Sequence, residues 1–187
     1  MQAADKTDRL SREAWLDKAL DVLASQGPGK ITIQHLCDAL KVSRGSFYWH
    51  FADRTEFLGA LLDRWHELYT AGVPGYMELS GGTGREKFQR LVTAVLAENL
   101  TRFDPAIRGW ALQEPAVAEK LQRTELFRLA YIEELFAEMG FRGKDKAQRA
   151  RIALAALTMQ SHLLADEGLA SPKQQAALMV RMFCDRR

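Results

Sequence analysis

The stretch that decides the fold of this chain reads TIQHLCDALKVSRGSFYWHF over residues 32–51. Two short segments with the apolar spacing of helices flank a tight turn at Lys41, and Thr32 and Ser43 stand where helix N-caps are expected. The apolar residues that can form a small core shared by both segments are Leu36, Leu40, Val42 and Phe47. This pattern predicts a helix-turn-helix, in which the N-terminal residues of the second helix dock in the major groove of DNA.

Helical periodicity continues on both sides of this stretch, and no segment shows the sustained alternation of a strand. A first helix is expected between the N-cap Ser11 and the terminator over residues 27–29, and a fourth after Asp53, which has capping-box spacing to Glu56. Interruptions are expected at Gly72, Pro74 and Gly75 and over residues 80–84. Later helices are expected from near Phe88, from the N-cap Asp104 to Trp110, from Glu114 to Gly140, from Lys144 to Glu167 and from Ser171 onward.

These elements predict an all-α protein with two domains. The first, over residues 1–54, is a three-helix helix-turn-helix DNA-binding domain. The second, over residues 55–187, is a helical domain.

Composition narrows the class of protein but does not by itself indicate DNA binding. The chain has 187 residues, 47% of them apolar, and a net charge of +2, so its charge alone does not mark a nucleic-acid binder. No apolar run is long enough to span a membrane, and no signal peptide is visible. The two cysteines and four histidines lack metal-ligand spacing. We expect a cytoplasmic protein without a metal, a cofactor or a disulfide framework.

The helix-turn-helix stretch resembles that of the TetR family of bacterial repressors, and the resemblance extends from about Ser11 to Leu62. The residues that match the family pattern are Thr32, Leu36, Val42, Ser43, Gly45, Ser46, Tyr48, His50, Phe51 and Arg54. Lys41 stands where the family usually has a turn glycine, which would cost about 1 kcal/mol if that residue is left-handed. Cys37 stands where the family usually has alanine, so it is expected to be a buried thiol.

The resemblance and the docking geometry together predict which residues contact DNA. Arg44 can donate two hydrogen bonds to a guanine, and Gly45 lets the backbone approach the groove closely. Tyr48 and His50 are better placed for the phosphate backbone. The full predicted set is Thr32, Arg44, Gly45, Ser46, Tyr48, Trp49, His50 and Arg54, with core packing as the alternative role for Trp49.

The remainder of the chain resembles the family in its helical content, its length and the order of its helices. The family resemblance implies that the domain over residues 55–187 serves ligand binding and dimerisation. The homodimer is expected to form through the last two helices, the alanine-rich helix from Lys144 and the helix from Ser171. The candidate apolar contacts of this dimer are Leu157, Leu164, Met179, Val180 and Phe183. The resemblance also implies an apolar effector cavity, expected near Trp110 and Tyr131. The candidate ligand-binding residues are Phe103, Trp110, Gln113, Phe127, Arg128, Tyr131, Met159 and His162. Ordinary core packing is an equally good reading of Phe103, Trp110, Tyr131, Met159 and His162, and His162 could instead lie in a dimer contact. Arg108 and Gln113 flank Trp110 as polar groups of the kind that a ligand site uses, and they could equally be surface residues.

The sequence therefore predicts a repressor that a small, largely apolar ligand releases from a palindromic double-stranded DNA operator. One alternative is a ligand-independent DNA-binding protein associated with the nucleoid or with a partner. A second alternative is an all-α enzyme. It is disfavoured because the Gly-rich segment over residues 81–84 lacks the lysine of a phosphate-binding loop.

Overall fold

A computed structural model describes residues 10–160 and 171–185 of the chain, and the regular elements in these ranges are helices. The α-helices are α1 Arg12–Gln26, α2 Ile33–Leu40, α3 Arg44–His50, α4 Arg54–His66, α5 Gly72–Leu79, α6 Gly84–Ala97, α7 Asp104–Ala111, α8 Pro115–Glu138, α9 Gly143–Met159 and α10 Pro172–Cys184. The expected all-α fold is confirmed. The chain forms two compact units, one ending at Arg64 and the other beginning at Trp65, whereas the sequence suggested a boundary after residue 54.

Aromatic side chains hold the helices of the first unit together. Phe47 of α3 packs edge-to-face against Trp15 of α1, with 5.5 Å between ring centroids, and against Phe57 of α4 at 5.3 Å. These three rings are buried, together with Phe51 and Leu36. Edge-to-face aromatic pairs add to the energy of burying their area, so this cluster fixes α3 against its two neighbours.

The turn between α2 and α3 is closed by a left-handed residue. Lys41 has φ 57° and ψ 43°, and the Val42 N–H donates to the Cys37 carbonyl at 3.0 Å. A residue with a Cβ atom pays about 1 kcal/mol for this backbone conformation. The left-handed turn brings the start of α3 back against α2, where Cys37 is buried as expected.

The expected interruption at Gly72, Pro74 and Gly75 was wrong, because these residues lie in the first turn of α5. A single π-helical turn over Glu67–Ala71 joins α4 to α5. Proline lacks an N–H and its ring clashes with the carbonyl four residues earlier, and a wider turn just before it relieves both constraints. The helix breaks at Gly81 and Gly82, which have φ values of 62° and 97°, so the interruption expected over residues 80–84 is confirmed.

In the second unit α6 packs closely on α8 and α10. Its N-terminus carries a capping box between Thr83 and Glu86. At Gly84, an added Cβ atom would lie 2.6 Å from the Leu135 carbonyl oxygen of α8, so only glycine permits this approach. Phe88 and Phe136 meet in the buried core behind this contact. No helix in the described ranges is long and apolar enough to cross a membrane.

Candidate functional site

The α2–α3 face of the first unit is built from local capping and from the turn. The Thr32 hydroxyl accepts a hydrogen bond from the His35 N–H at 3.2 Å and so caps α2. Ser43 occupies the N-cap position of α3, although its side chain makes no capping hydrogen bond. Because α3 begins immediately after the turn, Arg44 occupies its first helical position.

The outer side of α3 carries most of the residues predicted to contact DNA. Tyr48 and Trp49 are 57% and 70% exposed, while Phe47 between Ser46 and Tyr48 is fully buried. The exposure of Trp49 argues against a role in core packing. Gly45 is also exposed, and an added Cβ atom there would meet only the Ser43 hydroxyl at an ordinary distance of 3.6 Å. The fold therefore does not require glycine at position 45, and its bare backbone leaves that part of the surface open to a partner.

Three helices bring predicted DNA-binding residues to one surface concavity of about 320 Å³. Its lining residues are Thr32, Ile33, Gln34, Arg44, Tyr48 and Arg54. The remaining predicted residues, Gly45, Ser46, Trp49 and His50, lie on α3 but do not line this concavity. The assignment of all eight to DNA stays a prediction.

A chain of hydrogen bonds fixes the Arg44 side chain, and the sequence reasoning missed it. Arg44 Nε donates to Gln34 Oε1 at 2.9 Å, and Gln34 Nε2 donates to Asp38 Oδ1 at 2.8 Å. The second bond fixes which end of the Gln34 amide faces Arg44. The four-residue spacing of Gln34 and Asp38 on one face of α2 was the signal that could have revealed it.

The second unit contains an apolar cavity of about 50 Å³, lined by residues of the π turn, of α5, α6, α8 and α9, and of the segment that follows α6. Three of the predicted ligand-binding residues, Phe127, Arg128 and Tyr131, line it. This volume corresponds to roughly three to five water molecules. It is therefore small beside typical ligand pockets of about 300–1,000 Å³.

The other candidate ligand residues lie elsewhere. Phe103 is buried against the Tyr69 ring, with 4.8 Å between centroids, and Trp110 is buried on α7 without reaching the cavity. Gln113 is exposed beyond the end of α7, and Met159 lines a separate surface depression. His162 lies outside the described residues. The cavity thus lies beside Tyr131, whereas Trp110 is buried in a different part of the core. The assignment of the eight candidate residues to a ligand stays a prediction.

The charged group at the cavity is half of a buried ion pair. Arg128 contacts both carboxylate oxygens of Asp104, at 2.6 and 3.4 Å, and its Nε donates to Thr70 Oγ1 at 3.0 Å. The side chain of Asp104 is fully buried and that of Arg128 is 11% exposed. Burial raises the pKa of Asp104, and Arg128 opposes this shift.

Asp104 was expected to be the N-cap of α7. It lies instead in the first turn of the helix, and Phe103 is the N-cap residue.

A second polar cluster lies behind Tyr131. The Tyr131 hydroxyl donates to Glu78 Oε1 at 3.4 Å, and Lys87 Nζ lies 2.6 Å from Glu78 and 3.0 Å from Glu138. Burial is the main cause that raises the pKa of Tyr131 to about 12. Tyr131 is therefore a neutral hydroxyl at physiological pH.

Comparison with known proteins identifies the family. The family model described as "Bacterial regulatory proteins, tetR family" matches residues 16–61, which contain the helix-turn-helix and the concavity beside it. Residues 16–61 therefore form a helix-turn-helix region of the TetR family. The sequence-based recognition of this family is confirmed.

Curated relatives match the chain over part of its length. The "Probable acrEF/envCD operon repressor" of Escherichia coli strain K12 is 27% identical over 81 residues, which are 43% of this chain and 36% of that protein. The "HTH-type transcriptional regulator SrpR" of Pseudomonas putida is 37% identical over 59 residues, which are 31% of this chain and 28% of that protein. The chain thus matches about a third of the length of these relatives.

Solved structures show the same fold over nearly the whole chain. A transcriptional regulator from Rhodococcus sp. Rha1 has a TM-score of 0.76 at 19% identity, covering 92% of this chain and 95% of that one. AibR in complex with isovaleryl coenzyme A and operator DNA has a TM-score of 0.70 at 15% identity, covering 92% and 97%. FadR from Bacillus subtilis in complex with stearoyl-CoA has a TM-score of 0.71 at 14% identity, covering 94% and 98%.

Proposed function

We propose that this chain is a homodimeric transcriptional repressor that binds an inverted-repeat operator through α3 and is released by a small, largely apolar molecule. The observation that carries the proposal is Arg44, exposed at the first position of α3 and held by Gln34. Arginine at this position of a recognition helix can donate two hydrogen bonds to a guanine. Thr32, Tyr48 and Arg54 beside it can position the helix on the phosphate backbone.

Exposed apolar side chains on α9 and α10 support the dimer. Leu157, Met179, Val180 and Phe183, which the sequence offered as dimer contacts, are buried within the unit itself. Leu164, offered with them, lies outside the described residues. Ile152 and Met159 on α9 and Leu178 and Met182 on α10 are exposed instead. A second copy of the chain would cover them, and the two-fold axis would place two recognition helices on half-sites about one DNA turn apart.

The cavity supports control by a ligand. Its lining is almost entirely apolar, and Arg128 adds a few hydrogen-bond donors, as is common in ligand pockets. The same fold is seen in AibR with isovaleryl coenzyme A and operator DNA, and in FadR with stearoyl-CoA. A ligand that favours a dimer with the wrong spacing of the two heads would lower operator affinity, and operator would lower ligand affinity by the same factor.

A ligand-independent DNA-binding protein is the second candidate. The observation that favours it is the cavity volume of about 50 Å³, which must increase before a typical effector fits. The two candidates share the DNA interface and differ only in whether any small molecule changes operator affinity.

Selection of genomic fragments by the purified protein tests the DNA-binding proposal. We expect an enriched inverted repeat, and we expect Arg44→Ala to enrich the same repeat without the preference for one guanine in each half-site. The control Arg123→Ala removes the same charge from an exposed site on α8 and should leave the enrichment intact. Fragments with no shared sequence would contradict the proposal.

Sedimentation tests the dimer separately. Met182→Glu places a charge on the exposed apolar face of α10 and should yield a monomer. Leu112→Glu alters an apolar residue at the end of α7 that is even more exposed, 87% against 64% for Met182, and should leave the dimer intact. A monomeric wild-type protein would exclude the proposed assembly.

A further inference from the structure

The charges around the second-unit cavity cancel. Arg128 is the one lining residue with a formal charge among the described residues, and Asp104 neutralises it from behind. Arg108, the other cation that acts on Asp104, is itself paired with Glu125 at 2.5 Å. A molecule that enters the cavity therefore meets a polar end with no net charge.

The geometry of Arg128 leaves hydrogen-bond donors but no acceptor for a ligand. A guanidinium carries five N–H groups. Within the described residues, one is used by Thr70 and two by Asp104. The two N–H groups that remain, one on each terminal nitrogen, can donate to an oxygen atom in the cavity.

We infer that the effector is an uncharged, mainly apolar molecule that presents one hydrogen-bond acceptor, such as a ketone, ester or thioester carbonyl, to Arg128. This inference rests on the proposed function, which it deepens by assigning a ligand class to the cavity.

Charged ligands are excluded by the cost of burying an unpaired charge. A carboxylate at Arg128 would share one guanidinium with Asp104, leaving a net negative charge in a site where Asp104 is fully buried. The Tyr131 hydroxyl is neutral and already donates to Glu78, so it cannot balance this negative charge. An ammonium group would face Arg128 directly and be repelled.

Four small probes of matched chain length test the inference by ligand-observed NMR with the full-length protein. They are methyl butyl ketone, pentanoate, pentylamine and hexane. We expect the ketone to bind at least about ten-fold more tightly than pentanoate or pentylamine, because only the ketone adds no buried charge. We also expect hexane to bind more weakly than the ketone, because it leaves the Arg128 donors unused. Equal binding of ketone and pentanoate, or binding of none of the four, would overturn the inference.

A variant of Asp104 tests the cause of this preference. Asp104→Asn keeps the side-chain shape and leaves the Arg128 charge uncompensated, so pentanoate binding should rise by about ten-fold or more. Glu119→Gln removes a negative charge from an exposed site on the same helix as Arg128 and should change nothing. An unchanged pentanoate affinity in a folded Asp104→Asn protein would contradict the inference. If that variant does not fold, the wild-type preference for the ketone decides alone.

Operator affinity measured with the same probes separates this inference from the proposed function. Selective binding of the ketone without any change in operator affinity would support the ligand class and contradict release by a ligand. Operator release by pentanoate would support release by a ligand and contradict the ligand class.

Discussion

The hydrogen bond between Gln34 and Arg44 leads to a prediction about DNA affinity. Gln34→Ala removes the oxygen atom that accepts from Arg44 Nε at 2.9 Å, while the exposed Arg44 itself is unchanged. Ordering a free arginine side chain costs up to about 1.5–2 kcal/mol of conformational entropy. The hydrogen bond to Gln34 orders part of the Arg44 side chain before DNA binds, so less of this cost falls on binding. An intramolecular hydrogen bond contributes about 1 kcal/mol, so Gln34→Ala should weaken operator binding by about five-fold.

A double-mutant cycle by fluorescence anisotropy measures this effect. In an Arg44→Ala background the Gln34→Ala change should cost almost nothing, because no arginine remains to be held. The coupling free energy should therefore be about 1 kcal/mol. Gln26→Ala, a change of the same residue type at the exposed end of α1, should show no coupling with Arg44.

Additive costs of the two changes would refute this reasoning. Gln34 would then contact DNA by itself, and its hydrogen bond to Arg44 would have no role in recognition.

Three further predictions concern stability. Lys41→Gly should raise the free energy of unfolding by up to about 1 kcal/mol in urea titrations, because it removes a side chain from a left-handed residue; no gain over Lys41→Ala would contradict this. Gly84→Ala should lower that free energy by about 1–3 kcal/mol because its Cβ would meet the Leu135 carbonyl, whereas Gly59→Ala, with open space around it, should raise it by about 0.5–1 kcal/mol. Hydrogen bonds from the Thr83 backbone and side chain lower the pKa of Glu86 from its ordinary value of 4.5. The stabilising effect of ionised Glu86 is therefore fully present above pH 4.5 and is lost as the pH falls through the lowered pKa. Glu86→Gln should therefore lower the melting temperature at pH 7 but not in strong acid, and a difference that persists in acid would exclude this cause.

The starts of α1, α2 and α4 could be predicted from sequence because they are set by local hydrogen bonds. Ser11 and Thr32 bond to N–H groups three residues ahead, and Asp53 does the same for Glu56. The helix-turn-helix spacing then fixes which residues of α3 face outward. Where such local signals are strong, tertiary packing changes the helix boundaries little.

The features that escaped prediction depend on contacts between distant residues. Asp104 and Arg128 meet only because α7 packs on α8, and nothing in either segment indicates the partner. Pro74 lies in a helix because the preceding π turn accommodates it, and that turn has no clear sequence signal. The position of the cavity beside Tyr131 rather than Trp110 likewise follows from how α7 is rotated in the core.

The most direct test of the account is the affinity of wild-type and Arg44→Ala protein for the selected operator and for every single-base-pair variant of it. We predict that the wild-type protein loses about 1–3 kcal/mol at one guanine position in each half-site, and that Arg44→Ala loses this discrimination while keeping that at other positions. A uniform loss of affinity for all sequences in Arg44→Ala would contradict the claim that α3 reads DNA through Arg44.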